Sequence, residues 1–320
     1  MKKIVIGTRG SKLALWQANH IKSLLEIKNP NLTVELNIIK TKGDKILDIA
    51  LSKIGDKGLF TKELENALIA NEIDLAVHSM KDVPTNILAH TFISTMITRA
   101  DTHDAFISNK YNSFMELKEG SVVGTSSLRR KAQLMRARPD LNFLDIRGNV
   151  DTRLNKLDND EYDAIILAYA GIHRLGWDHR VKEKIDFDTC LPAVGQGAIG
   201  MQIRENDQST ISALNKINDI ETFFCVSIER TFLHALEGGC QIPIGCQVYF
   251  SNNNLVIEGV VASQDGTKYL NEKVNYPFTK ENIMKMEKNI QLNKALEIGG
   301  NMAQMFINKG ALDIIRGVRN

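Results

Sequence analysis

Residues 3–28 read KIVIGTRGSKLALWQANHIKSLLEIK, an apolar β-branched run followed by a glycine-containing turn and an amphipathic repeat. The run at residues 3–7 predicts a short strand. After it, apolar side chains recur at helical spacing at Ala14, Ala18, Ile21 and Leu25. Ser11 precedes the repeat and is placed to cap the first turn of the helix. The stretch therefore predicts the opening strand and helix of an α/β fold.

The same alternation continues to residue 82. Further strands are predicted at residues 34–40 and 75–77. The helical stripe between them consists of Phe60, Leu64, Ala67 and Leu68. A β-α-β-α-β order indicates a mostly parallel sheet with helices on both faces.

A second α/β series follows the polar stretch at residues 98–104, which we interpret as a crossing into a second domain. Its predicted strands and helices, in chain order, are residues 121–124, 128–138, 143–146, 150–157 and 164–170. Residues 192–197 contain a proline and two glycines and are predicted to cross back, so that a strand at residues 200–204 rejoins the first sheet.

The last third of the chain has a different pattern. A helix is predicted at residues 223–236, ended by Gly238 and Gly239. Three short strands follow, separated by turn-rich segments, at residues 247–250, 255–262 and 269–274. Helical segments close the chain after Thr279. This pattern predicts a small α+β domain with an antiparallel sheet.

Composition excludes several classes of protein. The chain has 320 residues, which suggests two or three domains, and its net charge is only +2 with 6% aromatic residues, which argues against a nucleic-acid-binding protein. The apolar run after the two N-terminal lysines is too short for a signal peptide, and no stretch approaches the ~20 apolar residues of a membrane span, so a cytoplasmic protein is expected. Because that compartment is reducing, no disulfides are expected among the four cysteines. No C-x-x-C or H-E-x-x-H pattern occurs, so no zinc site is predicted.

Basic residues are concentrated between residues 121 and 153, where seven of them are opposed by three aspartates. Arg129 and Arg130 follow Gly124-Thr125-Ser126-Ser127, where a strand turns into a helix and free backbone N–H groups favour an anion. Cations oppose the helix dipole at this position, so we interpret these two arginines as anion ligands. Lys131, Arg136 and Arg138 are better explained as a solvated helix face.

Other arginines also follow predicted strands. Arg9, Arg147 and Arg153 lie after strand ends, and parallel sheets bind their ligands at the carboxyl ends of strands. The arginine fork holds carboxylates and phosphates in bidentate fashion. The pattern predicts a cleft for a ligand with several such groups.

Three further features leave alternatives open. The Lys81-Asp82 pair is either a general acid or base with its neighbour or an ordinary ion pair. Cys240 lies between glycines and a Pro-Gly segment, where an exposed thiol can be a nucleophile or an attachment point, whereas Cys225 and Cys246 read as small apolar residues and Cys190 is undecided. Residues 57–60 either cover the cleft or form a surface loop.

Nine segments resemble the porphobilinogen deaminase (hydroxymethylbilane synthase) family, in register over essentially the whole chain. They are residues 6–14, 41–44, 57–60, 78–84, 124–130, 146–153, 170–175, 192–198 and 237–245.

The resemblance implies three domains: residues 1–98 with 198–217, residues 99–197, and residues 218–320. The first two look like the lobes of periplasmic-binding-type proteins, with mixed, mostly parallel sheets and the active cleft between them. The third bears a dipyrromethane cofactor, held by a thioether to Cys240. The implied enzyme is a cytoplasmic, monomeric transferase that joins four porphobilinogens, each losing ammonia, into hydroxymethylbilane for haem biosynthesis.

The same resemblance implies residue roles. Asp82 would be the catalytic carboxylate, stabilising cationic states and relaying a proton. Ligand carboxylates would be bound by Arg9, Lys81, Arg129, Arg130, Arg147, Arg153 and Arg174. Further contacts to the cofactor or substrate would come from Ser11, Asp44, Thr125, Ser126, Ser127 and Gly148. Gln196 would lie at the hinge, and Lys57 and Phe60 in a mobile loop over the cleft, with Phe60 against a pyrrole.

Two other functions share some of these features. A non-enzymatic two-lobe protein that binds an anion would share the fold and the arginines but needs neither Cys240 nor Asp82. A thiol enzyme with Cys240 as free nucleophile would need a histidine partner, and no histidine motif indicates one.

Overall fold

A computed structural model describes residues 2–45, 58–236 and 242–319. Lys57 and Cys240, and the predicted helix stop at Gly238 and Gly239, lie outside the described residues.

The first lobe begins with the predicted alternation. Its elements are β1 (Lys2–Thr8), α1 (Lys12–Lys28), β2 (Leu32–Ile38), α2 (Lys42–Lys45), α3 (Lys62–Ile69), β3 (Leu75–Ser79) and β4 (Thr91–Met96). The cap predicted for α1 is confirmed, because the Ser11 hydroxyl accepts a hydrogen bond from the Ala14 amide at 3.3 Å. The stripe including Phe60 was partly wrong: α3 begins at Lys62, and Phe60 lies in the turn before it.

The second lobe follows a crossing at residues 97–103. Its elements are β5 (Asp104–Ile107), β6 (Val122–Gly124), α4 (Leu128–Ala137), β7 (Asn142–Leu144), α5 (Val150–Asp158), β8 (Ala164–Ala168), α6 (Tyr169–Arg174) and β9 (Glu183–Ile185). The strand predicted at residues 164–170 ends early, because the backbone turns into α6 at Tyr169.

The chain then returns to the first lobe through β10 (Ile199–Arg204) and α7 (Gln208–Asn215). The two lobes have equivalent sheets, with strand orders β2-β1-β3-β10-β4 and β7-β6-β8-β5-β9. In each sheet, one strand runs antiparallel to its two neighbours: β10 in the first and β5 in the second. Each antiparallel strand directly follows a crossing, so each lobe's sheet is completed by chain that arrives from the other lobe.

A third unit completes the fold. It contains α8 (Ile220–Ala235), the antiparallel strands β11 (Ile244–Ser251), β12 (Asn254–Ala262) and β13 (Tyr269–Tyr276), and then α9 (Lys280–Met284), α10 (Lys288–Asn308) and α11 (Ala311–Arg319). α8 begins three residues earlier than predicted, because Asp219 caps it by accepting from the Thr222 amide. The predicted fold class, two α/β lobes with mixed sheets and a small α+β unit, is confirmed.

A buried ion pair joins all three units. Glu229 on α8 is completely buried and binds Arg99 of the first crossing through both carboxylate oxygens, at 2.6 and 3.0 Å. The same carboxylate accepts from the amides of Gly195, on the second crossing, and Val248, on β11. Glu229 therefore fastens both crossings to the third unit.

Candidate active site

A cavity of about 800 Å³ opens between the two lobes at the carboxyl ends of their parallel strands. The predicted site residues that line it are Arg9, Ser11, Asp44, Phe60, Lys81, Asp82, Ser126, Ser127, Arg129, Arg130, Arg147, Gly148, Arg153 and Gln196. The third unit contributes Leu233, Ile242 and Ile244 to the same cavity. The sequence thus placed most of its candidate residues in one cleft.

Three helices begin at this cleft. The first residues of α1, α4 and α5 line it, and the leading N–H groups of a helix have no intrahelical acceptor. The partial positive charge at each helix start adds to that of the basic side chains. Gly148, just before α5, has φ of 110°, and a Cβ atom there would lie 2.7 Å from Thr152. The turn that brings this helix start to the cleft therefore requires glycine.

Arg129 and Arg130 are nearly buried and share one carboxylate. Arg129 Nη1 lies 2.8 Å from Asp104 Oδ2, and Arg130 Nη2 lies 2.7 Å from Asp104 Oδ1. Asp104 is completely buried, and the two guanidinium groups hold the pKa of its carboxyl far below the usual range despite burial. The sequence analysis did not identify Asp104, because it lies at the end of the polar stretch that was interpreted as a crossing between domains.

Cys190 belongs to the same buried group. Its sulfur lies 3.3 Å from Arg129 Nη1 and 3.5 Å from Asp104 Oδ2. Burial raises the pKa of the Cys190 thiol to about 12, so it is a neutral packing group. Cys225 and Cys246 are also buried with raised pKa values, in agreement with their interpretation as small apolar residues.

Lys81 and Asp82 follow β3 on the opposite wall. Asp82 is exposed, whereas Lys81 is half-buried. Burial lowers the pKa of Lys81 to about 8, and the charges of Arg130 and Arg129 act in the same direction, opposed by Asp82 and Asp104. Within the described part of the chain Lys81 forms no ion pair within 4 Å, although the charge of Asp82 acts on it, so the role of the Lys81-Asp82 pair stays a prediction.

Arg153 is the most crowded cation of the cleft. Its Nε donates to the Gly148 carbonyl at 2.8 Å. Burial lowers the pKa of Arg153 to about 10, and repulsion from Arg130 and Arg147 contributes. Burial also lowers the pKa of Arg147. Cations held this close favour any anion that enters between them.

Arg9 already has partners within the protein. Its guanidinium forms an ion pair with Asp44 and lies over the Phe60 ring, 4.1 Å from the centroid. The Thr41 hydroxyl also donates to Asp44, at 2.8 Å. The structure therefore places Phe60 on Arg9, and its predicted packing against a pyrrole stays a prediction.

The predicted hydroxyl donors have structural bonds. Ser126 Oγ donates to the Ile146 carbonyl at 2.8 Å and accepts from the Ile146 amide at 3.0 Å. Ser127 caps α4, and Thr125 is buried beneath it with its hydroxyl accepting from the Ser127 amide. These side chains shape the turn that presents the start of α4.

Arg174 and Gln196 lie at the hinge side of the cleft. Arg174 does not line the cavity; it donates to the Gly197 carbonyl at 2.6 Å, and burial lowers its pKa to about 10. Gln196 is completely buried, and its Nε2 donates to the Thr102 carbonyl at 2.7 Å and to Asp104 Oδ1 at 2.9 Å. The hinge location predicted for Gln196 agrees with its contacts to both crossings.

Two negative observations apply to the described residues. No three of their His, Cys, Asp and Glu side chains are arranged to hold a metal ion. None of their helices is long and apolar enough to cross a bilayer.

Comparison with known proteins identifies two matching family models. Residues 4–212 match the porphobilinogen deaminase dipyrromethane cofactor binding domain, and residues 223–308 match the porphobilinogen deaminase C-terminal domain. Together the two models span nearly the whole chain.

Curated relatives carry the same name as the matching family models. Porphobilinogen deaminase from Desulforamulus reducens is 45% identical over 317 residues, covering 99% of this chain and 98% of that protein. The enzyme of the same name from Trichlorobacter lovleyi is 50% identical over 274 residues, 86% of this chain and 88% of the relative. A periplasmic substrate-binding protein from Coxiella burnetii, 11% identical, aligns with 68% of this chain and 92% of its own at a TM-score of 0.43.

Proposed function

The chain belongs to the porphobilinogen deaminase family, and from this premise we propose which of its residues carry that reaction. The function is that of a transferase in tetrapyrrole biosynthesis. At each step the bond between the aminomethyl carbon of porphobilinogen and its nitrogen breaks, and ammonia leaves. A carbon–carbon bond then forms to the free α carbon of the growing chain, and the α proton is released. After four units have been joined head to tail, water cleaves the bond to the first of them and supplies its hydroxyl group, which gives hydroxymethylbilane.

The observation that carries the proposal is one exposed carboxylate facing a group of crowded cations. Each pyrrole has an acetate and a propionate, so the growing chain is a polyanion that relieves the repulsion among Arg130, Arg147 and Arg153. Loss of ammonia leaves a cation on the incoming pyrrole. Asp82, exposed on the cleft wall, is the group that stabilises this cation and accepts the released proton.

The cleft fits the dipyrromethane cofactor of the family. Two pyrroles have four carboxylates, and the cleft offers partly desolvated cations for them, including a lysine without an ion-pair partner among the described residues. Ile242 and Leu233, on either side of the segment that contains Cys240, both line the cavity. We assign the thioether to Cys240. When bound, the cofactor supplies the free pyrrole α carbon on which the chain is built.

The remaining residues of the site are divided between binding of the cofactor and binding of the incoming substrate. We assign the cofactor to Asp44, Lys81, Asp82, Thr125, Ser126, Ser127, Arg129, Arg130, Arg147 and Gly148. We assign the incoming substrate to Arg9, Ser11, Lys57, Phe60, Arg147, Arg153, Arg174 and Gln196. The crowding of Arg153 and the pairing of Arg9 with Asp44 support a site that exchanges internal partners for ligand carboxylates.

The proposal extends to organisation and location. Residues 1–98 with 198–217, residues 99–197 and residues 218–320 are proposed as the three domains, supported by the three separate sheets. The proposed location is the cytoplasm and the proposed oligomeric state is a monomer, because the substrate is a small molecule and the cleft lies within one chain.

The intact mass of the purified protein tests the function. Produced in a host that makes porphobilinogen, it is expected to exceed the chain mass by two porphobilinogen units less two molecules of ammonia. Cys240→Ala is expected to have the bare mass. Cys246→Ala, which removes a buried thiol, is the matched control and should keep the adduct. A bare mass for the active-site-intact protein, with porphobilinogen bound but not consumed, would favour the non-enzymatic anion-binding alternative.

A further inference from the structure

One carboxylate lies among four donor groups from three parts of the chain, namely the start of α4, Cys190 and the second crossing. Asp104 is the first residue of β5, directly after the first crossing, and is completely buried. It accepts from Arg129 at 2.8 Å, Arg130 at 2.7 Å and Gln196 at 2.9 Å, and the Cys190 thiol lies 3.5 Å away. Asp104 therefore connects the start of α4 with both crossings.

The two arginines are fixed at a second point each. Arg129 Nη1 also donates to the Leu191 carbonyl at 2.6 Å, and Arg130 Nη1 donates to the Ile166 carbonyl at 2.8 Å. With one end of each guanidinium on Asp104 and another bond to the backbone, neither group can rotate freely. Both still line the cleft, so their positive charge reaches the ligand from one fixed direction.

The charge balance is as important as the geometry. Two buried guanidinium groups without a counter-ion would repel each other and would bind any carboxylate that reached them. Asp104 neutralises one of the two charges. The pair then presents a single net positive charge, which aligns a ligand carboxylate without holding it too tightly for the chain to move.

The hinge contact adds a second effect. Gln196 lies on the second crossing and binds both Asp104 and the Thr102 carbonyl on the first. A rotation of one lobe against the other would move the two crossings. Because Gln196 is bonded to Asp104, this movement would also shift the Asp104 carboxylate that holds the two arginines.

We propose that Asp104 is a positioning residue, which sets the orientation and net charge of Arg129 and Arg130 and ties both arginines to the inter-lobe hinge through Gln196. This inference rests on the proposed function of the cleft. Asp104 does not line the cavity and does not itself contact the substrate.

Asp104→Asn tests the proposal, because the amide has the same shape but only one acceptor oxygen and no charge. Without the charge of Asp104, the two guanidinium groups are expected to pair with the ligand carboxylates instead. The ligand then still binds, but its reacting atoms are displaced from Asp82. In cofactor-loaded enzyme, kcat for porphobilinogen is expected to fall by roughly 10- to 100-fold while KM rises less than kcat falls. Asp104→Glu, which keeps the charge, should recover part of the loss.

The control is Asp163→Asn in the same lobe. Asp163 accepts from the Val122 amide at 2.9 Å and lies outside the cleft, so this variant can lose thermal stability but should keep kcat. Intact mass gives the loaded fraction of every variant, and all rates are expressed per loaded enzyme. This separates a positioning effect from a loss of folded protein.

If Asp104→Asn does not fold, Gln196→Leu decides. It leaves both ion pairs in place and removes the hinge contact together with the proposed contact of Gln196 to the substrate. A several-fold loss of kcat at normal loading and unchanged KM would support the proposal. Wild-type kcat per loaded enzyme in Asp104→Asn, or in Gln196→Leu when it alone is available, would overturn it. Wild-type protein without adduct or turnover would instead reject the proposed function, which is a separate result.

Discussion

Arg130, Arg147 and Arg153 are placed where they repel one another, and the cleft is unfavourable for them without an anion. Burial together with this repulsion lowers the pKa of Arg153 to about 10, because both disfavour the charged form of the guanidinium. Asp104 provides one internal carboxylate that pairs with both Arg129 and Arg130, whereas Arg153 donates its hydrogen bond to a backbone carbonyl. In the proposed function, the carboxylates of the growing chain relieve this repulsion.

Asp82 gives the most direct prediction at this scale. Asp82→Asn should bind ligand through the unchanged cations but lose the charge that stabilises the cationic pyrrole, so turnover should fall by about 10²- to 10⁴-fold. Stopped-time assays of hydroxymethylbilane formation measure this. Asp145→Asn, which also removes one exposed negative charge near Arg147, is the control and should stay within a few-fold of wild type. Comparable turnover in both variants would remove Asp82 from its role.

Arg130 allows a second prediction. Arg130→Leu leaves Asp104 with one guanidinium partner and removes a cation from the cleft wall. Both effects should reduce cofactor loading, which intact mass reports directly, and should lower the thermal midpoint because a buried charge loses a partner. Lys131→Leu on the same helix is the control, since its side chain was predicted to be a solvated one. Normal loading in Arg130→Leu would return Arg130 to a purely structural role.

Lys81 predicts a pH dependence. Its pKa is lowered to about 8, so the ammonium is present below that pH and is lost above it. If it binds a cofactor carboxylate, as assigned, the cofactor is held less firmly once the ammonium is lost, so kcat per loaded enzyme should fall as the pH passes upward through about 8. In Lys81→Arg the guanidinium stays charged, so this limb should move to higher pH. The groups that surround Lys81, namely Asp82, Asp104, Arg129 and Arg130, are the same in both proteins, and substrate ionisation cancels in the comparison. Identical alkaline limbs would contradict the assignment.

At the scale of elements, the local sequence pattern correctly predicted most of the features that depend on neighbouring residues alone. The strand–turn–helix opening, the Ser11 cap and the apolar stripe of α1 are all present, because each depends on residues within one or two turns. Phe60 was wrongly placed in a helix. Its ring packs against the Arg9 guanidinium from a turn and does not belong to the apolar face of α3. A periodic pattern cannot distinguish these two uses of an aromatic ring.

Long-range partners were beyond the reach of the sequence. Arg99 and Glu229 are 130 positions apart, and Asp104 is separated from its two arginines by 25 and 26 positions. Nothing local distinguishes a buried carboxylate at the start of a strand or within a helix from a solvated one. The cleft residues could be predicted because they follow strand ends, whereas the carboxylates that hold them in place could not.

Glu229 gives the prediction that belongs to elements. Glu229→Gln removes the charge that binds Arg99 and weakens the bonds to the Gly195 and Val248 amides. Breaking one side of a buried pair is expected to cost about 3–5 kcal/mol in the free energy of unfolding, which urea titration measures. Glu297→Gln, which disrupts an exposed pair with Lys294 in the same unit, should cost at most about 1 kcal/mol. Equal costs would show that Glu229 does not fasten the crossings.

At the scale of the whole molecule, two lobes of equivalent topology enclose one cleft, and contacts between described residues span its mouth. One is an ion pair between Lys12, at the start of α1, and Asp151, at the start of α5, at 3.2 Å. In the proposed function, the chain that grows in the cleft gains one pyrrole per step. A weak, partly exposed pair at the mouth is suited to a contact that forms and breaks repeatedly.

Reversing this pair tests whether it favours the closed arrangement. Lys12→Glu sets two carboxylates against each other across the mouth. If porphobilinogen binds to the closed arrangement, its binding should weaken. An exposed pair contributes about 0.2–1 kcal/mol, which corresponds to a rise in KM of roughly 1.4- to 5-fold. Lys12→Glu combined with Asp151→Lys restores opposite charges and should return KM toward wild type, a recovery that only a direct interaction between the two positions explains. If the double variant instead shows the sum of the two single effects, the lobes close without help from this pair, and closure depends on ligand contacts alone.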